Sequence, residues 1–355
     1  WSQSGCATGS GCTAHLHRQN PADADGIGDS VLIQPSLSVI TVCMNRQQHL
    51  LQTAQRVAAW PHHAEHLVLD WSSRSAVDRS QLPRDPRLRL ERVEGEPRWN
   101  LCRAYNLAAR LARGNLLLKL DADCWPEELD SKVFAQEYPL CWFGSGPDGR
   151  VGQFLISRAA FEAVGGFNEV LQGYGFDDKD LKARLTSQGF SLNALPKEAI
   201  GVIAHSIHER VSRDHIPHHK SSGYEESLSF AHRRATAMSN RVAAAHCPWT
   251  SQRQPTRYQQ LEDQSWVAES SSLPVLEPAA AAELDRLRRQ VFWSRFLELP
   301  ELHVKVLPVK LLPPDHGGSF QVRWWHRLYW HTFRRLLRLP VSLLASCRGG
   351  LRLFQ

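Results

Sequence analysis

The chain has 355 residues, 42% of them hydrophobic, and a formal net charge of +6 at pH 7. That is enough apolar material for a substantial core, so one main domain with an appendage is expected. The positive balance suits anionic partners such as nucleotides, lipid phosphates or a membrane surface, whereas no nucleic-acid-binding motif is present and no such partner is expected.

Residues 1–36, rich in Gly, Ser, Ala and Asp, read as a flexible leader, and Trp1 in place of Met suggests an incomplete or processed start. Leu37 to Cys43 is an apolar, β-branched run that predicts a first strand, followed by Asn45-Arg46 and an amphipathic segment to Trp60. Leu67 to Asp70 predicts a second strand ending on an acid, then Trp71-Ser72-Ser73, and Leu88 to Val93 a third. Arg98 to Asn106 leads into a helix over Leu101 to Arg113, and Asn115 to Leu120 predicts a buried strand closing on Asp121-Ala122-Asp123. Strand and helix alternate as in βαβ units, which predicts an α/β fold with a mostly parallel sheet flanked by helices.

In such a sheet Asp121 and Asp123 stand at a strand's carboxyl end, where α/β folds bind ligands. Two carboxylates one residue apart offer hard oxygen donors to Mg²⁺ or Mn²⁺ and leave coordination positions for a diphosphate. An acidic strand-to-loop turn fits the same three residues. The second acidic cluster is richer: Gly165-Gly166-Phe167-Asn168-Glu169, then Gly173-Tyr174-Gly175-Phe176-Asp177-Asp178-Lys179-Asp180. Glycines let the backbone approach a ligand closely, and Tyr174 can lay the face of its ring against one. Clustered Asp177, Asp178 and Asp180 raise one another's proton affinity, as a general base at neutral pH requires. The competing reading is an acidic helix start favoured by the macrodipole.

From about Ser38 to His208 these motifs, in this order, resemble a GT-A glycosyltransferase of the family 2 type followed by the C-terminal module shared with the galactosyltransferases. Met44-Asn45-Arg46 resembles the turn after the first strand, and Asp70-Trp71-Ser72-Ser73 the Asp-Asn-Gly-Ser base-binding turn. Residues Gly165 to Asp178 are similar to the family's Gly-Gly-Phe-Asp-Glu and Gly-Trp-Gly-Gly-Glu-Asp-Asp-Asp pattern. The resemblance implies that Asn45, Arg46, Asp70, Arg103, Asp121 and Asp123 bind the nucleotide-sugar, with Asp70 facing the base. It implies that Asp178 is the general base and that Tyr174, Gly175 and Asp177 bind the acceptor. It implies Mn²⁺ or Mg²⁺ held by Asp123 and by His208 and His205, whose spacing in Gly201 to Glu209 fits the galactosyltransferase metal ligands. Three positions depart from the pattern: Tyr105 stands in place of Arg, Phe176 in place of a small residue, and Asp177 in place of Glu.

The expected domains are therefore the leader, a GT-A domain over 37–225 with a donor half (37–125) and an acceptor half (126–225), and a C-terminal extension over 226–355. Within the extension, Pro248 to Pro278 is polar and reads as a linker or surface wrap, and Ala279 to Leu299 as an amphipathic helix. The Trp- and Arg-rich tail from Val322 fits either peripheral membrane contact or a helix packed on the domain. The eight Cys form no Cys-x-x-Cys pair and no apolar run is long enough to span a bilayer, so a cytoplasmic, membrane-associated protein is expected.

The function expected is inverting, metal-dependent transfer of a sugar from a UDP-linked donor to a hydroxyl on a glycan, a lipid-linked glycan or a protein. Two rivals stand beside it. One is a catalytically silent glycan-binding scaffold of the same fold. The other is a metal-dependent phosphohydrolase, against which Cys124-Trp125-Pro126 counts, because that class carries Thr or Val after its Asp-x-Asp.

Overall fold

Residues 37–43 are buried at every position, as a strand covered on both faces must be. In the computed structural model they form β1 (Leu37–Cys43), the middle of a sheet with β2 (Glu65–Trp71), β3 (Leu88–Glu94) and β4 (Leu116–Asp121). These four pair in parallel, β3-β2-β1-β4, and the helices α1 (Gln47–Ala59) and α2 (Leu101–Leu111) make crossovers between them. Alternation divides the strand side chains between two cores: Ile40, Val42, Leu67, Leu69 and Leu117 share one with α2, while Val39, Leu116, Leu118 and Leu120 share the other. Asn100 caps α2, its side chain accepting from Arg103 N at 3.0 Å.

Beyond β4 the chain forms β5 (Cys124–Pro126), β6 (Cys141–Phe143), β7 (Phe154–Ser157), α3 (Arg158–Ala163), α4 (Asp177–Ser187), β8 (Asn193–Ala194) and β9 (Ile200–Val202). It then continues with α5 (Gly223–His246), β10 (Tyr258–Glu262), β11 (Ser265–Ala268) and α6 (Pro278–Phe296). The nine-stranded sheet runs β10-β11-β3-β2-β1-β4-β7-β6-β8, with β7 antiparallel to β4 and β6, while β5 and β9 form a separate antiparallel pair. The structure describes residues 36–130, 133–134, 139–205, 223–262, 264–272 and 276–296, with isolated tail positions between 328 and 343. His208 and the leader up to residue 35 lie outside the described residues, as does most of the tail.

One expectation is corrected. Residues 248–278, expected as a linker or surface wrap, carry strands: β10 and β11 make a hairpin, and β11 pairs in parallel with β3, adding two strands to the main sheet. Four of five β10 residues are exposed, so an edge strand replaces the apolar run that would have disclosed it. A boundary near residue 225 therefore does not separate the sheet from an appendage.

Candidate active site

The turns after β1 and β2 are tied together. Asn45 sits at φ 57, a left-handed conformation that Asn tolerates better than most residues. Its N–H donates to Ser73 Oγ at 3.0 Å and its Oδ1 accepts from Arg74 N at 2.9 Å. Asp70 is 1% exposed. Its Oδ1 accepts from Ser73 N and its Oδ2 from Val77 N, each at 3.0 Å, and Arg92 also pairs with Oδ2. The Asp70 carboxylate thus holds the 71–77 loop. Arg46 occupies the N-cap position of α1. Arg103 pairs with Glu96 at 2.6 Å beneath Tyr258, whose hydroxyl donates to the same carboxylate at 2.8 Å.

At the end of β4 the two carboxylates of Asp121-Ala122-Asp123 have different surroundings. Asp121 Oδ1 accepts from Lys119 Nζ at 2.7 Å and from the Tyr105 hydroxyl at 3.1 Å. Its Oδ2 accepts from Gln153 Nε2 at 2.7 Å, while Gln153 Oε1 accepts from Asp121 N at 2.9 Å. Lys119 is 1% exposed and also donates to Gly152 O. Burial would lower the pKa of its ammonium, but the charge and hydrogen bond of Asp121 carry it above the ordinary lysine value. Burial and the same carboxylate push the Tyr105 hydroxyl well up, so it stays a donor.

Asp123 instead meets His205, Oδ2 to Nε2 at 2.6 Å. The approach is built into the β5–β9 pairing, which sets Cys124 opposite Val202 and lets Ile203 N donate to Asp123 O at 2.9 Å. His205 stacks on His49 of α1 with ring centroids 5.6 Å apart, and Thr53 of the same helix donates to Ala122 O at 2.9 Å. His205 Nδ1 is buried with no hydrogen-bond partner. A carboxylate oxygen and an imidazole nitrogen that already converge are a fitting partial donor set for Mn²⁺. Among the described residues no third His, Cys, Asp or Glu joins them.

The second cluster is braced from several sides. Asn106 of α2 donates from Nδ2 to Phe167 O at 3.0 Å and to Glu169 Oε1 at 2.8 Å, and its Oδ1 accepts from Phe167 N at 2.7 Å. Glu169 Oε2 in turn accepts from Thr256 N at 2.9 Å. Asn240 of α5 donates to Gly175 O at 2.8 Å and accepts from Gln172 N at 3.1 Å, and the Arg233 guanidinium lies 5.1 Å from the Tyr174 ring centre. Gly175 (φ +90) lies so near α5 that a Cβ there would meet Ala237 Cβ at 3.1 Å. Phe176 follows at φ 78, a left-handed conformation costly to a bulky residue, and α4 begins at Asp177. Asp180 is held within the helix by Arg184 at 2.9 Å.

Asp177 and Asp178 are both half-buried. Burial, then the charge of Asp178, push the Asp177 carboxyl up to about 6; Lys119 pulls it down and Asp121 adds to the rise. The charges of the Lys119–Asp121 pair thus act on Asp177. Lys119, Gln153 and Asn240 are the site residues that sequence reasoning missed. Of these only Lys119 carried a local signal, because alternation along a strand puts it on the same side as Asp121.

Comparison with curated proteins gives no match. Among solved structures the chain is similar to the catalytic domain of Drosophila beta1,4-galactosyltransferase 7 in complex with xylobiose, at 16% identity over 66% of this chain and 93% of that one, with a TM-score of 0.39. It is also similar to a mannosyltransferase from Pyrobaculum calidifontis in complex with GDP-Man and Mn²⁺, at 15% identity over 90% and 88% of the two chains, TM-score 0.43. A third is glucosyl-3-phosphoglycerate synthase from Mycobacterium tuberculosis, at 12% identity over 58% and 80%, TM-score 0.40. Residues 146–209, which carry the second acidic cluster and His205, match the family model described as the N-terminal domain of galactosyltransferase.

Proposed function

We propose that this chain is a metal-dependent glycosyltransferase that moves a sugar, with inversion, from a nucleotide-linked donor to a hydroxyl acceptor. The observation that carries the reading is the convergence of Asp123 and His205 at 2.6 Å just past β4, with His205 and the Asp177-Asp178 start of α4 both in the segment matching the galactosyltransferase model. Asp123 and His205, with His208, would hold Mn²⁺ or Mg²⁺, which when bound neutralises the developing charge of a diphosphate leaving group. A UDP-sugar is the donor proposed, seated against the joined turns after β1 and β2, which carry Asn45, Arg46 and Asp70.

The chain's own residues supply the rest. An acceptor hydroxyl must lose its proton as it attacks the anomeric carbon, and a carboxylate at the head of α4 takes it. Asp178 is the base by its place in the motif, with Asp177 and Tyr174 orienting the acceptor glycan. The raised proton affinity of Asp177 favours a second assignment, in which Asp177 takes the proton and Asp178 orients the hydroxyl. Lys119, Tyr105 and Gln153 fix Asp121 at the end of β4. That fixing counts against an Asp-nucleophile phosphohydrolase, whose first Asp needs a free oxygen.

The test is a calorimetric screen of UDP- and GDP-sugars with Mn²⁺, Mg²⁺ or chelator, followed by turnover of the donor that binds. Metal-dependent binding of one donor, with turnover lost in Asp178→Asn but binding kept, is the expected result. Loss in Asp177→Asn alone would assign the base to Asp177. If folded protein bound no donor in the presence of metal, the scaffold reading would replace this one.

A further inference from the structure

α1 reaches the Asp123–His205 pair at two places one helical turn apart. Thr53 Oγ1 donates to Ala122 O at 2.9 Å, tying the helix to the turn that carries Asp123. His49, four residues earlier and so on the same face, is 4% exposed and lays its ring on that of His205, with 5.6 Å between centroids and 28° between planes. Aromatic rings pair in many cores, so a stack alone is ordinary packing. The other surroundings of the His205 ring give this one a further role.

A histidine that ligates a metal through one nitrogen almost always donates its other N–H to a carbonyl, a carboxylate or water, and that bond fixes the tautomer and the direction of the ring. His205 lacks it: Nδ1 is buried with no hydrogen-bond partner among the described residues. Its Nε2 is directed by Asp123 Oδ2, 2.6 Å away. Metal ligands bind deprotonated, so a pair that shares a cation no longer shares a hydrogen bond. Among the described residues, the face contact with His49 is then what still orients the imidazole. We propose, on the reading of Asp123 and His205 as metal ligands, that His49 is a positioning residue of the metal site, holding the His205 ring by stacking where other sites use a hydrogen bond.

The test is the Mn²⁺ affinity of the full chain, read from the electron paramagnetic resonance of the free ion and by calorimetry. His49→Leu and His49→Gln, which remove the ring, should weaken Mn²⁺ binding by at least about fivefold. His49→Phe, which keeps a stacking ring without its nitrogens, should stay within about twofold of the parent chain. UDP binding by His49→Leu should recover when Mn²⁺ is raised to saturation, a response that a merely structural loss would not show. Melting temperatures check that each variant is folded. Parent-like Mn²⁺ affinity in either ringless variant would overturn the proposal. So would a folded His49→Phe as weak as His49→Leu, which would give the role to the ring nitrogens. A folded parent chain that binds no Mn²⁺ would instead withdraw the metal site itself, and the role of His49 with it.

Discussion

Lys119→Met removes the one ion-pair partner that Asp121 has among the described residues while nearly preserving side-chain volume. Lys119 Nζ is 2.7 Å from Asp121 Oδ1, with side-chain exposures of 1% and 35% for the two residues. Stripping one member from a fully buried pair costs about 3–5 kcal/mol, but solvent reaches Asp121, so the expected loss is about 2 kcal/mol. For a chain of this size that is a fall in melting temperature on the order of 5 °C. Circular dichroism during thermal and urea unfolding reads it. The decisive comparison is the cycle with Asp121→Asn. Once Lys119 is gone, neutralising Asp121 should recover part of the loss, giving a coupling of about 1–2 kcal/mol. Effects that add within about 0.5 kcal/mol would refute the argument that Lys119 acts through Asp121.

Acid should destabilise the fold through the α1–β2 connection. Burial, aided by Arg87, lowers His63 to about 4; burial, aided by His63, lowers His66 to about 3. Both are therefore neutral when folded, and their contribution is complete above about pH 6.5 and lost as pH falls toward the folded values, by about 3 kcal/mol for His63. Melting temperatures between pH 7.5 and 4.5 should fall less steeply in His63→Leu than in the parent chain. Asn240→Ala removes both hydrogen bonds that α5 makes to the 172–175 loop, about 1–2 kcal/mol, and should lower kcat/KM about tenfold with donor affinity unchanged. Gly166→Ala would place a Cβ 2.4 Å from Asn106 Oδ1 at φ +69, and should cost more than about 2 kcal/mol in urea unfolding.

Strands β1, β2 and β4 were legible because each holds a short apolar run, buried on both faces or nearly so, while β3, LRLERVE, shows its apolar residues in alternation. β10 and β11 were not, because YQQLE and SWVA pair at a sheet edge where solvent permits polar residues. The site divides along a similar line. The pattern placed Asp121 and Asp123 at the end of β4, since the strand-to-loop position of a carboxylate follows from the strand. It could not tell which way a carboxylate turns: Asp70 has the motif of a base-facing residue, yet it spends both oxygens on its own loop and Arg92. Asn240 leaves no trace near the loop it clamps, because a contact across 65 residues has no local period.

The position of that clamp bears on how the chain is divided. Thr256 binds Glu169, Trp249 Nε1 donates to Gly165 O at 2.8 Å, and Arg288 reaches Val170 O. Every one of these partners lies between Gly165 and Gly175, the segment that positions Asp177 and Asp178. A truncation at residue 225 would therefore leave β1 to β4 and the Asp123–His205 pair with their own strand contacts, while removing the side chains that hold the glycine-rich loop. Its expected phenotype is selective: metal-dependent donor binding retained, turnover lost, and rapid proteolysis within 165–175. Loss of donor binding in a truncated chain that keeps its melting transition would show that the C-terminal elements serve the donor half as well, and would place their action through β11 on β3.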